Sequence, residues 1–364
     1  MPGTMITFFQ MCMIMMMSIG LMNHVIVIPL ILSSSGRDAW IAVLGSGAVF
    51  VVYTILVVMI VRLSKQQQLT LWLEDIYGRF IARFISWVVS LYLFVLAMVT
   101  QHDTLNWVHL SFAQSTPLIV HVLLFTTICF VNAYQGIRSI AITAGMLLPI
   151  VVLLGFFVMT ANFHHKDYTY LKPFLFHGWE PVWHGMIFTG AGFSELLILV
   201  FLQHHLKKKV AVFPAVVLAV ILVGLTLGPT MGAISEFGPN LAANLRYPAY
   251  EQWRLVNIGL YIEHVDFLSI YQWLTGAYIR VSLFFHLIME LTGLLRRPVR
   301  WIPLSFLFLL IVGVSLYPMT DETFLFVLTN YLMPAFLIFS LVASVILLFT
   351  GILAKARERR RATA

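Results

Sequence analysis

Two ionisable residues, Glu195 and Arg280, stand near the middle of long apolar runs. A charge at bilayer depth costs at least a few kcal/mol unless it is paired or wetted, so each marks a functional position by default. The chemistry suggested is recognition rather than bond breaking: a carboxylate and a guanidinium facing one polar interior, paired directly or through water. A structural ion pair that touches no ligand is the competing reading. Ser282 and Thr275 are the hydroxyls placed to join the same interior.

Backbone groups extend that chemistry. The first apolar run is interrupted at Ser18-Ile19-Gly20-Leu21-Met22-Asn23-His24 and resumes to Pro29. The sixth is interrupted at Thr189-Gly190-Ala191-Gly192-Phe193-Ser194-Glu195 and resumes to Phe201. Glycine-interrupted helices at matching positions of two halves point to an inverted-repeat transporter. Unwinding would free N–H and C=O groups at mid-membrane, and half-helix N-termini carry partial positive charge, so a zwitterion such as an amino acid needs few charged side chains there. The candidate ligand-binding set is therefore Gly20, Asn23, His24, Gly190, Gly192, Ser194, Glu195 and Arg280. Against it stands the common use of glycine for close helix packing in membranes.

Other polar residues have plainer expectations. His24 is expected to donate to a carbonyl freed at the first interruption. Glu290 and His286 are expected to snorkel or cap near a helix end, and His102 and Asp103 to be exposed at the other. The pairs His164-His165 and His204-His205 invite a metal reading. It is set aside because adjacent residues diverge on a helix and no carboxylate or thiol stands at ligand spacing in the sequence. Lys207-Lys208-Lys209 reads as a headgroup contact. Cys12 and Cys129 lie in apolar runs and read as packing residues. Nucleotide-loop, serine-hydrolase and zincin motifs are missing, so neither an enzyme nor a cofactor is expected.

These residues need helices to carry them. Hydrophobic residues make up 60% of the 364 and charged residues 10%, with a mean hydropathy of +0.93. That composition cannot cover a water-facing surface, whereas membrane helices satisfy their own backbone. Runs of spanning length fall at about 5–32, 39–62, 80–101, 118–136, 139–162, 183–202, 210–235, 270–291, 300–317 and 322–351. The expected fold is an all-α membrane protein of ten transmembrane helices in one domain, 1–364. It reads as a LeuT-like five-plus-five inverted repeat (5–162 and 183–351) with helices 1 and 6 broken, followed by a basic tail, 352–364. The first run lacks a basic start and a cleavage site and reads as a retained helix. Of the 22 Lys and Arg residues, 16 fall in alternate loops and the tail. This assigns the net charge of +7 to membrane topology, with cytoplasmic termini, rather than to nucleic acid. Leu69, Trp72, Leu73 and Ile76 predict a short surface helix. Pro248 starts another, in which Trp253, Val256 and Leu260 share a face.

The ordered set of local features resembles the B subunits of spore germinant receptors. It comprises Ile19-Gly20 and Ile28-Pro29, then Gly36-Arg37-Asp38-Ala39-Trp40, Gly192-Phe193-Ser194-Glu195 and Arg246-Tyr247-Pro248. Ile262-Glu263-His264-Val265-Asp266 and Gln272-Trp273 complete it, with His264 where members often carry arginine. The resemblance implies the amino acid–polyamine–organocation superfamily and its inverted repeat. It also implies a place in the spore inner membrane and recognition of a small-molecule germinant, often an amino acid, with A-type and lipoprotein C-type subunits as partners. In that fold Arg280 would be a fixed cation where sodium-coupled relatives hold an ion. Two functions remain open: a receptor whose conformers bind germinant unequally, and an amino-acid permease using the same site by alternating access.

Overall fold

The computed structural model describes residues 5–257, 264–296, 299 and 301–363. Among them the only strand-like feature is an isolated Ile6–Leu206 bridge. The helices are α1 (Phe8–Leu21), α2 (Ile28–Ser35), α3 (Ala39–Leu63), α4 (Leu69–Tyr77), α5 (Arg79–Ser111), α6 (Leu118–Gln135), α7 (Ile137–Ala161) and α8 (Glu180–Ser194). They continue as α9 (Ile198–Leu202), α10 (Val212–Ala242), α11 (Pro248–Arg254), α12 (Leu268–Leu291), α13 (Trp301–Ser315), α14 (Asp321–Val327) and α15 (Met333–Thr363).

Among the described residues, eight continuous helical stretches are long and apolar enough to cross a membrane. The first, Phe8–Leu63, has 56 residues, about 84 Å of helix against a hydrocarbon core of roughly 30 Å. The chain turns within it at Gly36, whose φ of +51° favours glycine. The ninth expected run is α13, at 15 residues shorter than the roughly 20 a crossing needs. Large apolar side chains such as Leu153, Phe156, Phe213 and Phe349 are exposed on the periphery, a surface suited to lipid. The protein is an all-helical integral membrane protein.

Neither interruption is an unwound segment. After α1 the helix widens into a π-helical stretch, Met22–Val27, and resumes as α2. Pro29 cannot donate a backbone hydrogen bond and its ring crowds the preceding turn; widening that turn accommodates it. The same arrangement recurs between α14 and α15, where π-helical Leu328–Leu332 precedes Pro334. Between α8 and α9 the helix tightens into a 3-10 turn, Glu195–Leu197, just after Ser194 Oγ donates back to the Ala191 carbonyl, a bond that bends helices.

The stretches Glu180–His205 and Leu268–Leu291 are the innermost, with 83% and 78% of their apolar windows buried against 22% for Ile137–His165. They carry Glu195 and Arg280. Around them α12 packs on α5, α1, α6 and α7, while α8 packs on α2, α3 and α15. Ile6 and Glu358, near the two ends of the chain, lie at one end of the bundle, where Ile6 pairs with Leu206 and Lys65 with Glu358. Helix α4 buries Leu69, Trp72 and Leu73. Pro248 opens α11, and Trp253 packs with Val256 and Val265. Leu260, expected on that face, lies outside the described residues, as do Ile262, Glu263, Arg297 and Arg300.

Candidate functional site

Glu195 and Arg280 meet directly. The guanidinium grips the carboxylate with two parallel bonds, Nη1–Oε2 at 2.5 Å and Nη2–Oε1 at 2.7 Å. Nε donates to Thr100 Oγ1 at 2.8 Å, and Nη1 to the Ser18 carbonyl at 3.1 Å. The Phe284 ring covers the group at 4.7 Å. Both charged side chains are wholly buried, so a single arginine joins α1, α5, α12 and the turn after α8. Such a bidentate pair is the geometry in which a desolvated ion pair is best compensated.

The glycines beside this pair act through packing. A Cβ on Gly192 would collide with Asn23 Oδ1, so the two interrupted stretches touch there. Asn23 is buried, and neither polar atom of its amide has a hydrogen-bond partner. Gly190 faces Leu337. The Ser194 carbonyl accepts from Tyr53 Oη, which also contacts Ser344.

On the opposite side of α1 lies a cavity of about 370 Å³ between α1, α7, α10 and α12, closed on one side by α11. Gly20 and His24 line it. The His24 ring lies against the Leu225 backbone on α10 rather than a carbonyl of its own interruption. Along α10, Gly224, Gly228 and Gly232 form one wall at i, i+4, i+8 spacing, and a Cβ on Gly224 or Gly228 would meet nothing within 4 Å. Trp253 and Trp273 supply flat apolar walls. Gln272 is held between them, accepting from Trp253 Nε1 at 2.9 Å and donating to the Val151 carbonyl. Lys166 and Glu236, 3.5 Å apart and almost fully buried, also line the cavity. The Asn162 side chain lies beside Glu236.

The cavity therefore presents an apolar body with one ammonium and one carboxylate. Of the residues singled out in the sequence it gathers Gly20 and His24; Asn23, Gly190, Gly192, Ser194, Glu195 and Arg280 lie behind α1. Thr275 is occupied by the Tyr271 carbonyl and Ser282 sits beside Cys129. Sequence reasoning missed the Gly224/Gly228/Gly232 stripe, although its four-residue spacing was visible. It also missed Glu236, which falls one residue past the expected run 210–235.

Away from the termini, Arg246 makes a second clamp. It donates to Asp103 at 2.5 Å and bidentately to Asp321 at 2.9–3.1 Å, with Tyr247 under its guanidinium at 4.3 Å. Burial opposes the Arg246 charge, but Asp103 and Asp321 outweigh it and raise its pKa above the ordinary value. His102 and Asp103 are consequently buried, not exposed as expected: they face the loop and α14 rather than water. Tyr247 packs edge-on against Trp273, linking this clamp to the cavity wall.

At the termini end Glu290, expected to snorkel or cap, is instead partly buried between two histidines. Glu290 stands between His204 and His205, accepting from one at 2.8 Å and the other at 3.0 Å. A carboxylate 85 residues away along the chain thus supplies the spacing that the local sequence lacks.

The chain is 42% identical to Spore germination protein XB of Bacillus anthracis over 98% of its length and all of that protein's. It is 25% identical to Spore germination protein KB of Bacillus subtilis (strain 168) over 70% of its length and 69% of that protein's. For Spore germination protein A2 of the same strain the identity is 21%, over 65% and 66%. Residues 4–323 match the spore germination protein family, and the chain belongs to it.

Proposed function

We propose that this protein is the nutrient-sensing B-type subunit of a spore germinant receptor, and that it binds a small germinant of the amino-acid class in the cavity beside α1. The observation that carries the reading is the cavity's chemistry. Lys166 and Glu236 are loosely paired at 3.5 Å beside an apolar volume walled by tryptophan and glycine. A zwitterion can exchange into such a pair, its ammonium meeting Glu236 and its carboxylate Lys166, while its side chain fills the apolar part.

Two features support a protein that switches. The unsatisfied Asn23 amide, pressed against Gly192, costs about 1–3 kcal/mol, recoverable in a conformer where α1 and α8 separate. Trp273 contacts both the cavity and Tyr247, so ligand contact can bias the Arg246 clamp; binding shifts an equilibrium only where the two conformers bind unequally. In this reading the helices make ten crossings, α13 included, as two inverted five-helix halves. Both termini are cytoplasmic, the membrane is the spore inner membrane, and A-type and C-type subunits transmit the signal. The π-helical interruption of α1 at the cavity favours one alternative, a permease moving the same ligand by alternating access.

The test is germination of spores lacking this gene, followed by optical density across amino acids, sugars and nucleosides. Loss of response to one nutrient, restored by the gene but not by its Glu236→Gln form, is expected. A response unchanged for every nutrient, together with uptake of a labelled amino acid by membranes carrying the protein, would overturn the sensor in favour of the permease.

A further inference from the structure

His204 and His205 close the 3-10 turn Gln203–His205 that follows α9, and Glu290 lies in the last turn of α12. The turn is fixed from several sides. Ser64 Oγ donates to Gln203 Oε1 at 2.8 Å, Gln203 Nε2 to the Gln67 carbonyl, and the Ile6 amide to the His205 carbonyl. The two imidazole rings, 4.0 Å apart between centroids, bend onto one carboxylate, each Nε2 taking a different oxygen. One ligand atom from each of the three residues falls within 4.8 Å of the others, and the three side chains are 8–17% exposed.

A tetrahedral zinc ion with bonds of 2.0–2.2 Å separates its ligand atoms by roughly 3.3 Å. The carboxylate–imidazole distances of 2.8 and 3.0 Å need only open slightly to admit it. A second observation points the same way. His286, one helical turn before Glu290, is 5% exposed and has no side-chain hydrogen-bond partner. Its ring centroid lies 6.1 Å from that of His205, and its other neighbour is the Ala133 backbone. Buried polar groups in native proteins are seldom left so.

We propose that His204, His205 and Glu290 form a divalent transition-metal site of the zinc class, with a water taking the fourth position of the tetrahedron and His286 beside it. Two imidazoles and a carboxylate suit a borderline cation, and softer thiolate-seeking ions find no sulfur in the set. The bound ion would staple the end of α9 to the end of α12 at the termini end of the bundle, holding that end shut. This site is separate from the cavity and does not depend on the ligand proposed there.

The experiment uses the full-length protein in detergent micelles, stripped with chelator, with Zn²⁺ titrated in competition with a chromophoric chelator. One zinc per chain is expected. Affinity should fall in Glu290→Gln, which keeps a hydrogen bond to neutral histidine but loses the charge, and in His204→Ala. The loss should be at least the roughly 10–100-fold that removing a supporting group costs a metal site. A Co²⁺-loaded wild-type sample should show the intense visible bands of four-coordinate cobalt, a readout that requires no variant to fold. Absence of stoichiometric zinc, a six-coordinate cobalt spectrum, or wild-type affinity in the His204→Ala/His205→Ala double variant would overturn the site.

Discussion

Arg280 and Arg246 do the same chemistry in two different solvents. Each grips a carboxylate with two bonds, reaches a further acceptor, and lies against an aromatic ring. Arg280 and Glu195 are wholly buried, whereas Arg246 is 20% exposed and its partner Asp321 47% exposed. Water can therefore replace part of the peripheral clamp and none of the central one. The central pair fixes α1, α5, α8 and α12 relative to one another. The peripheral one can be broken at lower cost.

The largest expected effect follows from breaking the central pair on one side only. Arg280→Gln or Glu195→Gln leaves a buried charge without its partner, a loss of about 3–5 kcal/mol. It should appear as a marked fall in melting temperature of the detergent-solubilised protein and in its abundance in membranes. Replacing both residues by apolar side chains of similar volume should recover most of that loss, since a buried pair adds little beyond a well-packed apolar substitute. If the double replacement melts as low as the single ones, the pair is more than a structural spine.

The peripheral clamp should respond less, and unevenly. Arg246→Gln strands Asp103, whose side chain is 1% exposed, and should cost about 1–3 kcal/mol. Asp321→Asn removes only the exposed arm and should stay within about 1 kcal/mol, shrinking further in high salt. Equal melting temperatures for the two variants would erase the distinction between the clamp's buried and exposed arms.

Much of this was legible from residue types. Glu195 and Arg280 stood out because charges at bilayer depth must find partners, and they found each other. Leu69, Trp72 and Leu73, and Pro248 with Trp253, announced their short helices by spacing. What Gly20 and Gly192 do was not legible, because a glycine within an apolar run marks a perturbed helix without saying whether it unwinds, widens or tightens. Neighbouring side chains decide that, as Asn23 does against Gly192. The cavity was hidden for another reason. Its walls come from α1, α7, α10 and α12, and only their convergence places Lys166 and Glu236 with Trp273. His204, His205 and Glu290 illustrate the same limit, since adjacency in the chain was visible and the third partner was not.

The central claim is that the cavity beside α1 holds the germinant, and filling it tests that claim most directly. Gly228 lines the cavity and a Cβ there meets nothing within 4 Å, so Gly228→Leu adds bulk to empty space and improves helix propensity. Val220, on the same helix but 56% exposed, provides the control Val220→Leu. Spores carrying Gly228→Leu at normal protein levels should need at least about tenfold more germinant, a binding loss of about 1.4 kcal/mol, while Val220→Leu spores germinate like the parent. Germination of Gly228→Leu spores at the parental germinant concentration would contradict the account.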